Sequence, residues 1–221
     1  MLETLKRDVC EIAKRAQRDG LCKHKSGNFS ARDKETGLVV ITPTSVDREY
    51  LTPRDMVVIT LDAEVVENLS GLKPTSEVLM HLQVYKEDPE ATAVCHTHSM
   101  YATTFAVLNK PIPAVVYEVA NLGLSKARIP VAPYGRPGTM DLPMSIVESI
   151  KEANSMLLQS HGVLTFDKGN IYDAYLKACY VEEIAQLYWN ALVAGQGAEP
   201  YSLPTSELAA WEYPHQVKMP K

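Results

Sequence analysis

Residues 91–98, Ala-Thr-Ala-Val-Cys-His-Thr-His, end a short apolar run on two histidines spaced i, i+2. Alternate side chains of an extended strand share a face, so His96 and His98 can converge on one point, with Cys95 facing the opposite side. A third histidine, His161, closes another apolar run and is followed by Gly162, which permits close backbone approach. Three imidazoles around a point form a catalytic type of metal site, with one position left open. Imidazole donors suit zinc, or another divalent transition metal such as Mn2+ or Co2+, better than magnesium or calcium. The spacing alone also fits three unrelated histidines, one on the surface, one in the core and one in a loop.

Glu77 is expected in the first turn of a helix, where a carboxylate is stabilised by the helix dipole without any chemistry. Beside a metal, the same group would serve as a fourth ligand or as a proton-transferring base. His81 lies four residues further along the same helical face, while His24 and His215 have no comparable setting. Three hydroxyl- or amide-rich turns, Gly27-Asn28, Thr42 to Ser45 and Thr75-Ser76, offer donors of the kind that hold phosphate. No Walker-type or dinucleotide glycine pattern is present, so a nucleotide is not implied. Together with the histidines, the turns suggest a small phosphorylated substrate.

These groups need elements to hold them. Leu2, Leu5, Val9, Ile12, Ala13 and Ala16 recur at helical spacing and Asp19-Gly20 supplies a stop. Strands are expected at 27–31, 38–42 and 56–61, with Val65-Val66 as a hairpin partner. Ser76 to Tyr85 predicts a helix, Ala91 to His98 a strand and 99–108 a helix. Prolines at 111, 113, 130, 133 and 137 punctuate a middle region of short strands and loops. A helix over 143–153, strands at 155–159 and 163–166, and a long helix from Asn170 to Val193 complete the pattern. The last ~25 residues, rich in Pro and Tyr, predict a loosely structured tail. Hairpin-type strand spacing bounded by helices favours one α/β or α+β domain with a central, largely antiparallel sheet.

Composition narrows the function classes. The 221-residue chain is 46% hydrophobic and 22% charged, with a net charge of −5. An acidic balance argues against non-specific nucleic-acid binding. No stretch approaches the ~18 apolar residues of a membrane span, and the amino terminus carries charge from Glu3 onward, unlike a signal peptide. Cys10, Cys22, Cys95 and Cys179 have no paired spacing and predict reduced, mostly buried thiols of a cytoplasmic protein.

Five motifs in order, Gly27-Asn28-Phe29-Ser30, Ile41-Thr42-Pro43-Thr44-Ser45, Lys73-Pro74-Thr75-Ser76-Glu77, His96-Thr97-His98-Ser99 and Gln159-Ser160-His161-Gly162, resemble those of the class II aldolase/adducin family. The resemblance covers roughly residues 1–195. It implies a three-layer α/β/α domain over 1–221 with a central, mainly antiparallel sheet, and a C4 homotetramer with active sites at subunit interfaces. It implies His96, His98 and His161 as zinc ligands, with Glu77 as the acid/base and a further ligand at rest. It places Asn28, Thr44, Ser45, Thr75 and Ser76 around the substrate phosphate. Tyr117, which plain reading gives as a core or interface aromatic, matches a tyrosine that reaches a neighbouring subunit's site and handles the aldehyde oxygen. Tyr213, in the 196–221 tail over the active site, is the nearest candidate for a tyrosine that closes on it.

The activity so implied is reversible cleavage of a 1-phosphoketose, L-fuculose 1-phosphate in a fucose-degrading role, to glycerone phosphate and L-lactaldehyde. Its rivals are cleavage of another 1-phosphoketose such as 5-deoxyribulose 1-phosphate, 4-epimerisation of ribulose 5-phosphate, and a non-catalytic module like the adducin head. Epimerases of the family usually carry aspartate in place of Glu77, and the module has lost its metal ligands. Three departures stand out. Ser45 replaces a common glycine and predicts a different turn, Thr75 replaces a frequent serine, and Arg136-Pro137 replaces residues near the aldehyde pocket.

Overall fold

The computed structural model describes residues 2–210. Helix α1 (Glu3–Arg18) buries Val9, Ile12, Ala13 and Ala16 along one stripe, and Gly20 ends it at φ +79°. An antiparallel meander follows: β1 (Asn28–Arg32), β2 (Val39–Ile41), β3 (Val57–Ile59) and β4 (Val65–Glu67). Two 3-10 turns, Arg48–Tyr50 and Pro53–Asp55, lie between β2 and β3. Next come α2 (Val78–Glu87), β5 (Ala93–Thr97) and α3 (Met100–Val107). The proline-punctuated middle holds β6 (Ile112–Pro113), a 3-10 segment Tyr117–Leu122, β7 (Arg128–Ile129), β8 (Val131–Ala132), α4 (Asp141–Ser145) and α5 (Val147–Glu152). The chain then runs through β9 (Ser155–Leu158), β10 (Gly162–Asp167), α6 (Ile171–Ala194) and α7 (Thr205–Ala210).

Eight strands form one sheet in the order β4-β3-β2-β1-β5-β10-β9-β8. Every pair is antiparallel except β8 with β9, which are joined through the α4–α5 crossover that parallel pairing demands. Alternation sorts the side chains between two helical layers. Phe29, Ala31, Ala93 and Cys95 face α1 and the first half of α6, while Leu157 and Val163 face α3 and its second half. Val94, Met156, Leu158, Leu164 and Phe166 face α2, α4 and α5. The result is an α/β/α arrangement around a mostly antiparallel sheet.

Three sequence expectations need correction. The helix expected over 143–153 is two short ones, and Leu142, Ile146 and Ile150 keep their four-residue spacing into the core across the break. Glu77 is not within the first turn of α2 but caps it, since regular helix begins at Val78. The tail is partly ordered: Leu203 N–H donates to the Ala114 carbonyl at 2.8 Å, and Leu203 and Leu208 pack on the cluster around Phe105 and Val119. No helix among the described residues is long and apolar enough to cross a membrane.

Candidate metal centre and phosphate cleft

The register of three central strands decides which groups meet. Asn28 stands opposite His96 across β1 and β5, and Leu164 stands opposite His96 across β5 and β10. The pleat turns Asn28, Ser30 and His96 toward α2, and Cys95 the other way into the apolar core. His98 lies just beyond β5, its N–H donating to the Leu21 carbonyl at 3.0 Å. The β9–β10 hairpin brings His161 in through a turn with Ser160 at φ +55°. Gly162 is obligatory here, because a Cβ would fall 2.4 Å from the Thr97 carbonyl oxygen and 3.2 Å from the His96 ring.

His96, His98 and His161 meet with ring centroids 4.7 to 5.1 Å apart, and the Nε2 atoms of His96 and His98 are 2.9 Å from each other. Glu77 faces them, with Oε2 3.3 Å from His96 Nε2 and Oε1 3.0 Å from His161 Nε2. One ligand atom from each of the four residues lies within 4.8 Å of the others. His96 donates its Nδ1 hydrogen to the Val163 carbonyl at 2.8 Å, which leaves the Nε2 lone pair aimed into the cluster. Three nitrogens and one carboxylate oxygen in this setting fit a divalent transition metal.

Electrostatics agree with that fit. Burial is the largest influence on Glu77 and pushes its carboxyl up, but its close neighbours His96 and His161 outweigh it. The carboxyl is held well below the usual range and stays ionised. Burial, then His96, pushes the His81 and His98 imidazoles down to about 3, so both are neutral; burial also lowers His161. Neutral imidazole is the form that binds a metal.

A buried hydrogen-bond chain fixes Glu77. Asn28 donates Nδ2 to Glu77 Oε2 at 2.6 Å, and its Oδ1 accepts from His81 Nε2 at 2.5 Å. With its hydrogen on Nε2, His81 accepts at Nδ1 from Ser30 Oγ at 2.7 Å, and Ser30 accepts from Tyr85 OH at 2.7 Å. Every donor in the chain points toward the carboxylate. Sequence reading noted His81 four residues after Glu77 but had no signal linking it to Asn28, Ser30 and Tyr85.

Beside the cluster lies a cleft of about 130 Å³ lined by Lys25, Ser26, Gly27, Asn28, Pro43, Thr44, Ser45, Arg48, Thr75, Ser76, Glu77, His98 and His161. Short backbone pairing brings its two hydroxyl turns together: Thr44 N–H donates to Lys73 O at 2.9 Å and Thr75 N–H to Thr42 O at 3.1 Å. Ser45 adopts φ +60°, so serine here takes the left-handed backbone that glycine favours. Gly138, at φ +75°, would place a Cβ 3.9 Å from the Ser76 carbonyl, so the loop that carries exposed Arg136-Pro137 runs beside Ser76.

Tyr117 lies apart from this chain's cleft. It is 57% exposed and borders a shallow groove with Val116, Tyr180 and Leu187. Tyr213 lies outside the described residues. Arg48 and Lys25, which line the cleft, carried no signal in the sequence.

The family model for the "Class II Aldolase and Adducin N-terminal domain" matches residues 7–189. The 5-deoxy-D-ribulose 1-phosphate aldolase of Bacillus thuringiensis serovar kurstaki is 34% identical over 208 residues, 94% of this chain and 93% of that protein. The L-fuculose phosphate aldolase of Escherichia coli O6:H1 is 35% identical over 188 residues, 85% of this chain and 84% of the relative. A solved structure of an L-fuculose 1-phosphate aldolase superposes with a TM-score of 0.85 at 31% identity, covering 93% of each chain.

Proposed function

Because the chain belongs to the class II aldolase and adducin family, we propose that it is a zinc-dependent aldolase reversibly cleaving a 1-phosphoketose to glycerone phosphate and a small aldehyde. The observation that carries this reading is the cluster of His96, His98, His161 and Glu77 beside a cleft rich in hydroxyl and amide donors. Breaking the bond between carbons 3 and 4 leaves carbanion character at carbon 3, conjugated with the carbonyl. The bound metal supplies Lewis-acid stabilisation of the charge that develops on oxygen.

This chain's residues do the rest. Glu77, kept ionised and oriented by Asn28, takes and returns the proton at carbon 3. Asn28, Thr44, Ser45, Thr75 and Ser76 hold the phosphate, so binding energy remote from the reacting atoms positions the bond to be broken. Tyr117 exchanges a proton with the aldehyde oxygen in the site of a neighbouring subunit of a C4 tetramer, a role consistent with its exposure away from its own chain's cleft. The four free cysteines support work in the reducing cytoplasm.

The ketose we assign is L-fuculose 1-phosphate, with L-lactaldehyde as the second product, in fucose degradation. A second reading, 5-deoxyribulose 1-phosphate, is favoured by the relative of that specificity aligning over 94% of this chain. A coupled assay for glycerone phosphate over a panel of 1-phosphoketoses tests both. Release of glycerone phosphate from one of them identifies the substrate. Conversion of ribulose 5-phosphate to its 4-epimer with no glycerone phosphate from any ketose would replace the aldolase reading.

A further inference from the structure

The side chains assigned above to the phosphate are neutral, yet a phosphate monoester carries about −1.5 to −2 charges near neutrality. Two cations line the same cleft, exposed Lys25 and Arg48, of which Arg48 is only 2% exposed. A 3-10 turn holds Arg48, capped by Asp47, whose carboxylate accepts from Glu49 N–H at 3.0 Å. The guanidinium donates to the carbonyls of Gly27, Lys25 (3.4 Å) and Pro43 (3.5 Å), tying together the two loops that form the cleft walls. Its Nε has no partner, and no carboxylate among the described residues forms an ion pair with it.

Burying a cation without an ion-pair partner is costly, and carbonyl dipoles with the more distant charge of Asp47 offset only part of that cost. Clamping two loops needs donors but no charge. A persistent charge at the wall of an anion cleft is explained when the anion is the missing partner. We propose that Arg48 is a binding residue for the substrate phosphate, supplying the positive charge that the hydroxyl and amide donors lack. The inference deepens the 1-phosphoketose reading and rests on it. Arginine suits the role because its guanidinium is weakly hydrated and charged at every working pH.

The test measures inorganic phosphate binding to the metal-loaded protein and to the variants Arg48→Gln and Arg48→Lys, with metal content checked in each. Arg48→Gln keeps donors for the loop carbonyls but no charge, and should weaken phosphate binding at least about 30-fold, whereas Arg48→Lys stays within about 5-fold of the parent. Equal losses in both variants would leave Arg48 a loop clamp only, and unchanged binding in Arg48→Gln would overturn its role outright. A parent protein with no phosphate affinity removes the phosphate cleft itself, and Arg48's role with it. Should Arg48→Gln fail to fold, the Arg48 Nε–H resonance of the parent, identified by its loss in Arg48→Lys, decides. It should shift with phosphate along the binding curve, and a resonance indifferent to phosphate would refute the contact.

Discussion

Asn28 donates to Glu77 Oε2 at 2.6 Å from the strand position directly opposite His96, so one residue of β1 orients the carboxylate that faces the three imidazoles. The proposed proton carrier is thereby held by a neutral amide on one oxygen and by His161 on the other. Glu77→Gln keeps an oxygen for Asn28 but cannot accept the proton. The variant should retain metal yet turn over at least ~100-fold more slowly, the usual scale of acid–base catalysis. Turnover near that of the parent would remove Glu77 from the proton step.

His81 acts on Glu77 through Asn28. Replacing it by leucine leaves Asn28 Oδ1 and Ser30 Oγ without their ring partner in a buried site. The expected cost is about 1–3 kcal/mol of stability, together with a roughly tenfold fall in kcat at unchanged metal content, the scale seen when groups orienting a metal site are lost. Thermal unfolding and steady-state kinetics report the two effects separately. Unaltered kcat in a destabilised variant would make the chain a packing feature only.

Gly162→Ala should damage the site without touching any proposed ligand. The added Cβ meets the Thr97 carbonyl at 2.4 Å and the His96 and His98 rings at 3.2 and 3.4 Å, so β5 and β10 must separate. Overpacking of this kind costs about 1–3 kcal/mol. Metal analysis should show weakened binding alongside a lower Tm, and a variant with parental metal affinity would mean that the strands part without moving the histidines.

Much of this arrangement was legible in the chain. Strict alternation sends Cys95 away from His96, and the strand pattern announced that split because side-chain direction is local. The helix expected over Ser76 to Tyr85 was real but is shifted by two residues, running from Val78 to Glu87. Arg48 was not legible, because its burial comes from Gly27 and Pro43 folding over it, a contact between loops that no periodicity encodes. The same holds for Ser30 and Tyr85, whose link to Glu77 passes through His81 and Asn28 and so crosses between α2 and β1, a pairing that no local periodicity encodes. The break at Ile146 escaped as well, since the core spacing of Leu142, Ile146 and Ile150 persists through it.

Acid should destabilise the metal-stripped protein. His81 and His98 titrate near 6.5 in the unfolded chain but near 3 in the fold, chiefly because burial penalises their charged forms. Between those values the unfolded chain binds more protons, so stability is full above about pH 6.5 and falls on acidification toward pH 3, by about 1.4 kcal/mol per pH unit for each histidine. Denaturant unfolding from pH 7 to pH 4 measures the slope. A flat profile would show that neither imidazole is held neutral.

The most direct measurement is metal reconstitution followed by retro-aldol cleavage. Protein stripped by chelator is titrated with zinc against the 1-phosphoketose that the panel selects, and glycerone phosphate release is recorded at each step. Activity should be absent from the stripped protein and rise linearly to a plateau at one metal per chain, with His161→Ala failing to reach it at the same metal concentration. Equal glycerone phosphate release from stripped and reloaded protein would contradict the assignment of His96, His98, His161 and Glu77 as the centre of the reaction.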